Sequence, residues 1–173
     1  MVSETELTEI IGLSGDLGRL LKKHGFVMCT AESCTGGLIS GFITEISGSS
    51  EWFDRSFVTY TNEAKSEMLG VSPETLKRYG AVSGQTVREM VCGAVSRSSG
   101  SVGVAVSGIA GPSGGTDDKP VGTVWMAWMY PDGTVDAECH HFSGDRQGVR
   151  LRTVRRAFEV LLERIPDHLT RQV

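Results

Sequence analysis

The stretch FVMCTAESCTGGLIS, residues 26–40, decides how the fold is read. Residues 26–31 are a short apolar run and read as a buried strand. Residues 35–46, TGGLISGFITEI, read as a helix whose glycines point to close backbone packing, because glycine inside a helix otherwise costs stability. A buried strand running straight into a helix opens an α/β architecture. Ser33 falls on the junction, where backbone N–H groups are unpaired and the helix dipole favours negative charge.

Moving outward, the same alternation continues. Residues 4–24 carry Leu7, Ile10, Ile11, Leu17, Leu20 and Leu21 near helical spacing, with Gly25 as a stop. SFVTY (56–60) reads as a strand, and NEAKSEMLG (62–70) as a helix capped by Asn62 and ended by Gly70. Pro73 opens a short helix, residues 83–100 form a longer one, and SVGVAVSG (101–108) is a strand entering the loop IAGPSGGTDDKP. GTVWMAWMY and VDAECHHF flank a turn at Pro131, Asp132 and Gly133 and read as an antiparallel hairpin. A basic helix from about Asp145 to Arg164 follows. The expectation is a single-domain α/β protein, a three-layer α/β/α sandwich on a mixed sheet, spanning residues 1–173 with a core of about 5–165. Trp125 and Trp128 could serve the core or an interface between copies, so a homo-oligomer stays open.

Composition narrows the function. With 173 residues, 39% apolar and 22% charged, the chain suits one globular domain. A net charge of -4 offers no footprint for nucleic acid or an anionic membrane, and no apolar run is long enough to span a bilayer. A cytoplasmic location is expected, as the N-terminus has no basic region followed by an apolar one. Cys29, Cys34, Cys92 and Cys139 are scattered without a C-x-x-C pair, and Cys139 beside His140 and His141 would sit on a strand whose neighbours face opposite ways. No metal site and no cofactor are expected.

Chemistry could sit in four places. At the first junction, N–H groups around Thr35, Gly36 and Gly37 could hold a phosphate or an oxyanion, and Glu32 could bind substrate, act as a base or fix the loop. Lys65 falls near the start of a helix, where the dipole opposes its ammonium form and burial would lower its pKa further. The loop after Ser107 and Gly108 carries Gly111, Gly114 and Gly115, whose backbone can approach a ligand closely; it is not a Walker A loop, and Ser113 in its G-x-S-x-G match lacks the helix that a nucleophile elbow needs. Arg146 and Arg150 lie four apart on one helical face, suited to a phosphate or carboxylate.

AESCTGGLIS, ISGSSEWFDRSFVTYTNEAK, GAVS, VSGIAGPSGG, KPVGTVW and FSGDR together resemble the C-terminal domain of the CinA (competence/damage-inducible protein) family over about residues 5–165. The resemblance implies amidohydrolysis of nicotinamide mononucleotide, giving nicotinate mononucleotide and ammonia in pyridine nucleotide recycling, in the stand-alone form of the domain. It implies a site drawing on Ser33, Ser50, Tyr60, Lys65 and Ser107, with Arg146 on the phosphate side. No histidine is a convincing partner for a serine here, so a metal-free Ser–Lys mechanism fits: neutral Lys65 as base, Ser33 as nucleophile and Ser50 as relay, or the two serines reversed, with Tyr60 orienting Lys65 or the amide. Cys34 is the rival nucleophile. The other functional class is a non-catalytic nucleotide-binding regulatory or interaction module linked to competence or DNA damage.

Overall fold

The computed structural model describes residues 3–169. The first helix, α1 (Glu4–His24), starts at Ser3, whose Oγ accepts from Glu6 N, and stops at Gly25 in a left-handed conformation. Strand β1 (Met28–Glu32) is buried throughout and leads to α2 (Leu38–Thr44). Residues 35–37 are therefore a turn and not helix: Gly36 and Gly37 both have positive φ, and the helix begins only after them. Strand β2 (Phe53–Val58) follows a short 3-10 turn at Ser49–Glu51, so it begins and ends earlier than the expected 56–60.

Helix α3 (Asn62–Leu69) is capped by Thr61, one residue before the expected Asn62, through its Oγ1 on Ala64 N. After it come α4 (Pro73–Tyr79), α5 (Gly84–Ser96) and β3 (Val102–Gly108). The expected hairpin is β4 (Thr123–Met129) and β5 (Val135–His141). Helix α6 runs from Arg146 to Leu169, through Pro166 and beyond the expected end at Arg164, because Ile165 and His168 still face inward.

The five strands form one mixed sheet in the order β2-β1-β3-β4-β5. β2, β1 and β3 are parallel, and β4 and β5 join antiparallel. Side-chain alternation divides the core. Met28, Val104, Val106, Met126 and Trp128 meet α1, α2 and α6 on one face. Cys29, Ala31, Ala105 and Ala127 meet α3, α4 and α5 on the other. Small residues on this second face let the helices approach closely. At Gly93 of α5 an added Cβ would overlap the Leu69 carbonyl, so only glycine allows α5 to lie against the end of α3. Both tryptophans of β4 serve the interior: Trp128 is fully buried with its N–H on Ala157 O at 3.2 Å, and Trp125 packs over Gly84. No described helix is long and apolar enough to cross a membrane.

Candidate active site

Ser33 leaves the C-terminal end of β1, between two parallel neighbours, in the position where open α/β sheets present ligand sites. Its N–H still donates to Val106 O at 3.1 Å, so the serine is held by β3 as the chain turns away. Gly36 N closes the turn onto Ser33 O at 3.0 Å. Below the turn, Glu32 is fully buried and its two oxygens accept from Gly37 N, Ile39 N and Ser40 N at 2.9–3.0 Å and from Thr35 Oγ1 at 2.7 Å. Thr30 and Ser56 hydroxyls add bonds to the same carboxylate at 3.2 Å. Of the three roles open to Glu32, the geometry matches fixing the loop. Its carboxylate takes the N–H of Gly37, with those of Ile39 and Ser40 in the first turn of α2, while Gly36 N is spent on Ser33 O. Glu32, the Thr35 hydroxyl and the N–H groups of Gly36 and Gly37 all make bonds within the turn.

Arg150 also bonds to the turn. Its Nε and Nη2 donate to Cys34 O at 3.1 Å and Thr35 O at 2.7 Å, so it clamps the turn from outside and does not join Arg146 as an anion fork. The two arginines share a helical face but stand one turn apart along α6.

Lys65 reaches the turn from α3. It is 1% exposed, and its Nζ lies 3.0 Å from Ser33 Oγ, 2.8 Å from Thr59 O and 3.5 Å from Tyr60 O. Burial lowers its pKa. As a neutral amine it can donate both N–H bonds to the two carbonyls, which turns the lone pair towards the Ser33 hydroxyl. That is the arrangement a general base needs. Cys34 is 6% exposed, and burial pushes its thiol up to about 12. Burial thus favours the thiol over the thiolate, which weighs against Cys34 as the nucleophile.

A cleft of about 240 Å³ opens above this pair, lined by Ser33, Cys34, Tyr60, Lys65, Ala81, Val82, Ser107, Gly108, Ala110 and Arg146. Ser107 is 1% exposed and follows Val106, the partner of Glu32, so it stands beside Ser33 on the adjacent strand and projects to the same face. Its hydroxyl has no hydrogen-bond partner among the described residues. Tyr60 is 59% exposed at the mouth; its hydroxyl accepts from Arg146 Nη2 at 3.0 Å, and only its carbonyl faces Lys65. Arg146 Nη1 donates to Gly111 O at 2.9 Å. A larger, open groove of about 450 Å³ outside α3 and α4 is lined by Asn62, Glu63, Ser66, Glu67, Pro73, Leu76 and Lys77 and pairs no nucleophile with a buried base.

Ser50 is not brought to this place. It is exposed in the turn before β2, and Met28 pairs with Phe53 at the start of both strands, so Ser50 lies at the opposite end of the sheet from Ser33. Within one copy of the chain Ser50 therefore does not stand where it could relay a proton to Lys65. Gly114 and Gly115, with Ser113, lie on the exposed part of their loop outside the cleft; Gly111 reaches it only through the carbonyl bond to Arg146. His140 lies 3.1 Å from a Glu138 oxygen, and His141 and His168 bond to Thr123 and Asp132. The sequence reading missed Thr59, whose contribution is a carbonyl and carries no residue-type signal. Ala81 and Val82 belong to the stretch GAVS but carry no role in the sequence reading of the site; they stand just before the Ser83 cap of α5.

The CinA C-terminal domain model matches residues 11–165. A nicotinamide-nucleotide amidohydrolase PncC from Enterobacter agglomerans is 55% identical over 150 residues, covering 87% of this chain and 90% of that protein. The protein of the same name from Escherichia coli K12 is 49% identical over 156 residues, covering 89% and 93%. Among solved structures, a competence/damage inducible protein CihA from Agrobacterium tumefaciens superposes with a TM-score of 0.86 at 48% identity, covering 89% of this chain and 94% of that one.

Proposed function

This chain belongs to the CinA C-terminal domain family, and on that premise we propose that it is a nicotinamide-nucleotide amidohydrolase working through a Ser33–Lys65 pair. The observation that carries the reading is a buried lysine, free to be neutral, 3.0 Å from the hydroxyl of a serine at the floor of a cleft. Relatives similar over nearly their whole length carry the amidohydrolase name, which supports the same substrate, nicotinamide mononucleotide.

Ser33 Oγ attacks the carboxamide carbon as Lys65 Nζ takes its proton. The C–N bond then breaks, and the lysine ammonium supplies the proton with which nitrogen leaves as ammonia. Water, deprotonated by the same amine, opens the resulting ester and releases the carboxylate, so one base serves both halves of the reaction. Ser107 offers the carboxamide a hydroxyl from the neighbouring strand. The cleft is smaller than the range of about 300–1,000 Å³ usual for whole drug-sized ligands. It therefore takes the pyridine carboxamide and leaves the ribose phosphate at the mouth, where Arg146 stands. No step calls for a metal or an organic cofactor. Recycling of pyridine nucleotides would place the protein with its substrate in the cytoplasm.

The test is release of ammonia and nicotinate mononucleotide from nicotinamide mononucleotide by the purified protein, with and without a chelator. Turnover that survives the chelator is expected. Binding of the nucleotide with no ammonia release would instead support the second reading, a regulatory module, which the competence and damage names of the solved relatives favour.

A further inference from the structure

The mouth of the cleft is bridged by two residues that are each badly placed for stability. Arg146 opens α6, where the positive end of the helix dipole opposes its charge. Tyr60 holds an aromatic ring 59% exposed. The two meet through the 3.0 Å bond from Arg146 Nη2 to Tyr60 Oη, and Arg146 is further fixed on Gly111 O. Both acceptors are neutral, and no carboxylate among the described residues pairs with this guanidinium. Its charge is left unbalanced in a chain of net charge -4.

A guanidinium has five N–H donors in a rigid fork, and these two bonds leave the others free. Tyr60 uses its oxygen as acceptor and keeps its own O–H to give, and a hydroxyl that accepts from a cation is the stronger donor for it. Both residues thus offer donors to the cleft they line.

We propose that Tyr60 is a specificity residue: its phenol holds Arg146 in position and joins it in gripping the phosphate of the mononucleotide, so that nucleotide is selected over nucleoside. The inference takes its ligand from the amidohydrolase reading. It also replaces the expected role of the tyrosine in orienting Lys65. That contact runs through the Tyr60 carbonyl, which any side chain at position 60 retains.

The experiment compares nicotinamide mononucleotide with nicotinamide riboside, which lacks only the phosphate, on the parent and on Tyr60→Phe. The nucleotide-to-riboside ratio of kcat/KM should fall by about tenfold or more, the size expected for one hydrogen bond to a charged group, and the loss should appear in KM for the nucleotide. Arg146→Gln should lower the ratio at least as far, with Tyr60→Phe adding little on top, because the two act as a unit. Equal losses of kcat on both substrates, together with a displaced acid limb of the pH profile, would put the phenol on Lys65 and overturn the proposal. An unchanged ratio would overturn it too. Calorimetric binding of nicotinate mononucleotide to parent and Tyr60→Phe makes the same comparison without turnover. Weaker binding to the variant supports the grip even in a protein that proves unable to hydrolyse, whereas equal binding refutes it.

Discussion

An ammonium near the start of a helix opposes the dipole, and Lys65 adds burial to that cost with no carboxylate among the described residues paired to offset it. The lysine escapes by giving up its proton, and that escape makes it a base. Because burial lowers its pKa, the amine is neutral at pH values where a solvated lysine, near 10.4, is still charged. The sign for activity follows: kcat/KM rises with pH as Lys65 loses its proton, and the acid limb falls below the ordinary lysine range. Lys65→Ala and Ser33→Ala should each lower kcat by about a thousandfold, in the range for general-base and nucleophile losses, and the double variant should be no worse than the poorer single. Steady-state kinetics across the acid limb check this, with Ser50→Ala as the control that stays within about twofold of the parent because it lies at the far end of the sheet. A Ser50→Ala variant as dead as Lys65→Ala would return that serine to the mechanism and require it to arrive from another copy of the chain.

At the scale of elements, the turn between β1 and α2 is held from two sides, by Glu32 beneath and Arg150 above. Glu32→Gln keeps the shape but turns one acceptor into a donor facing backbone N–H groups. The expected cost is about 2–3 kcal/mol, or a Tm lower by about 5–10 °C in a chain of this length. Since Ser33 rides on the turn, kcat should fall more than KM rises. Thermal denaturation beside kinetics decides the matter, because an unchanged Tm with lost substrate binding would restore Glu32 as a ligand residue. This turn also marks where the sequence stopped being readable. The order of elements, the hairpin and the helix stops at Gly25 and Gly70 were legible because periodicity and capping are local. Lys65 was legible for the same reason, as a charge in the wrong part of a helix. The partners of Glu32 and Arg150 are backbone amides and carbonyls, which have no residue type to read. Ser50 sits near β2 in sequence, yet nothing local says at which end of the sheet its turn lies.

At the scale of the molecule, α6 ties the cleft to the far end of the domain. Its first residue is Arg146, and near its end His168 stacks on Tyr130 with ring centroids 4.0 Å apart and bonds Asp132 in the β4–β5 turn at 2.8 Å. Arg164 adds ion pairs to Asp136 and Glu138 of β5. The helix is thus fixed to the hairpin at one end and to the Ser33 turn, through Arg150, at the other. The hydrogen bond from His168 holds the Asp132 carboxyl down at about 2. A carboxyl whose folded pKa is depressed contributes stability that is full above its unfolded value, about 3.9, and is lost as pH falls through the folded one. Asp132→Asn should therefore lower Tm at neutral pH by about 2–4 °C, the equivalent of about 1 kcal/mol for one bond of this kind. The gap from the parent should shrink as pH drops from about 4 to 2. Melting curves at several pH values check the sign. A gap that persists undiminished at the acid end would mean that the variant loses packing of the turn and not the charge on Asp132. Should ammonia release at room temperature also fall in Asp132→Asn while the protein stays folded, the far anchor of α6 would be setting the position of Arg146 at the cleft, some 22 residues away along the helix.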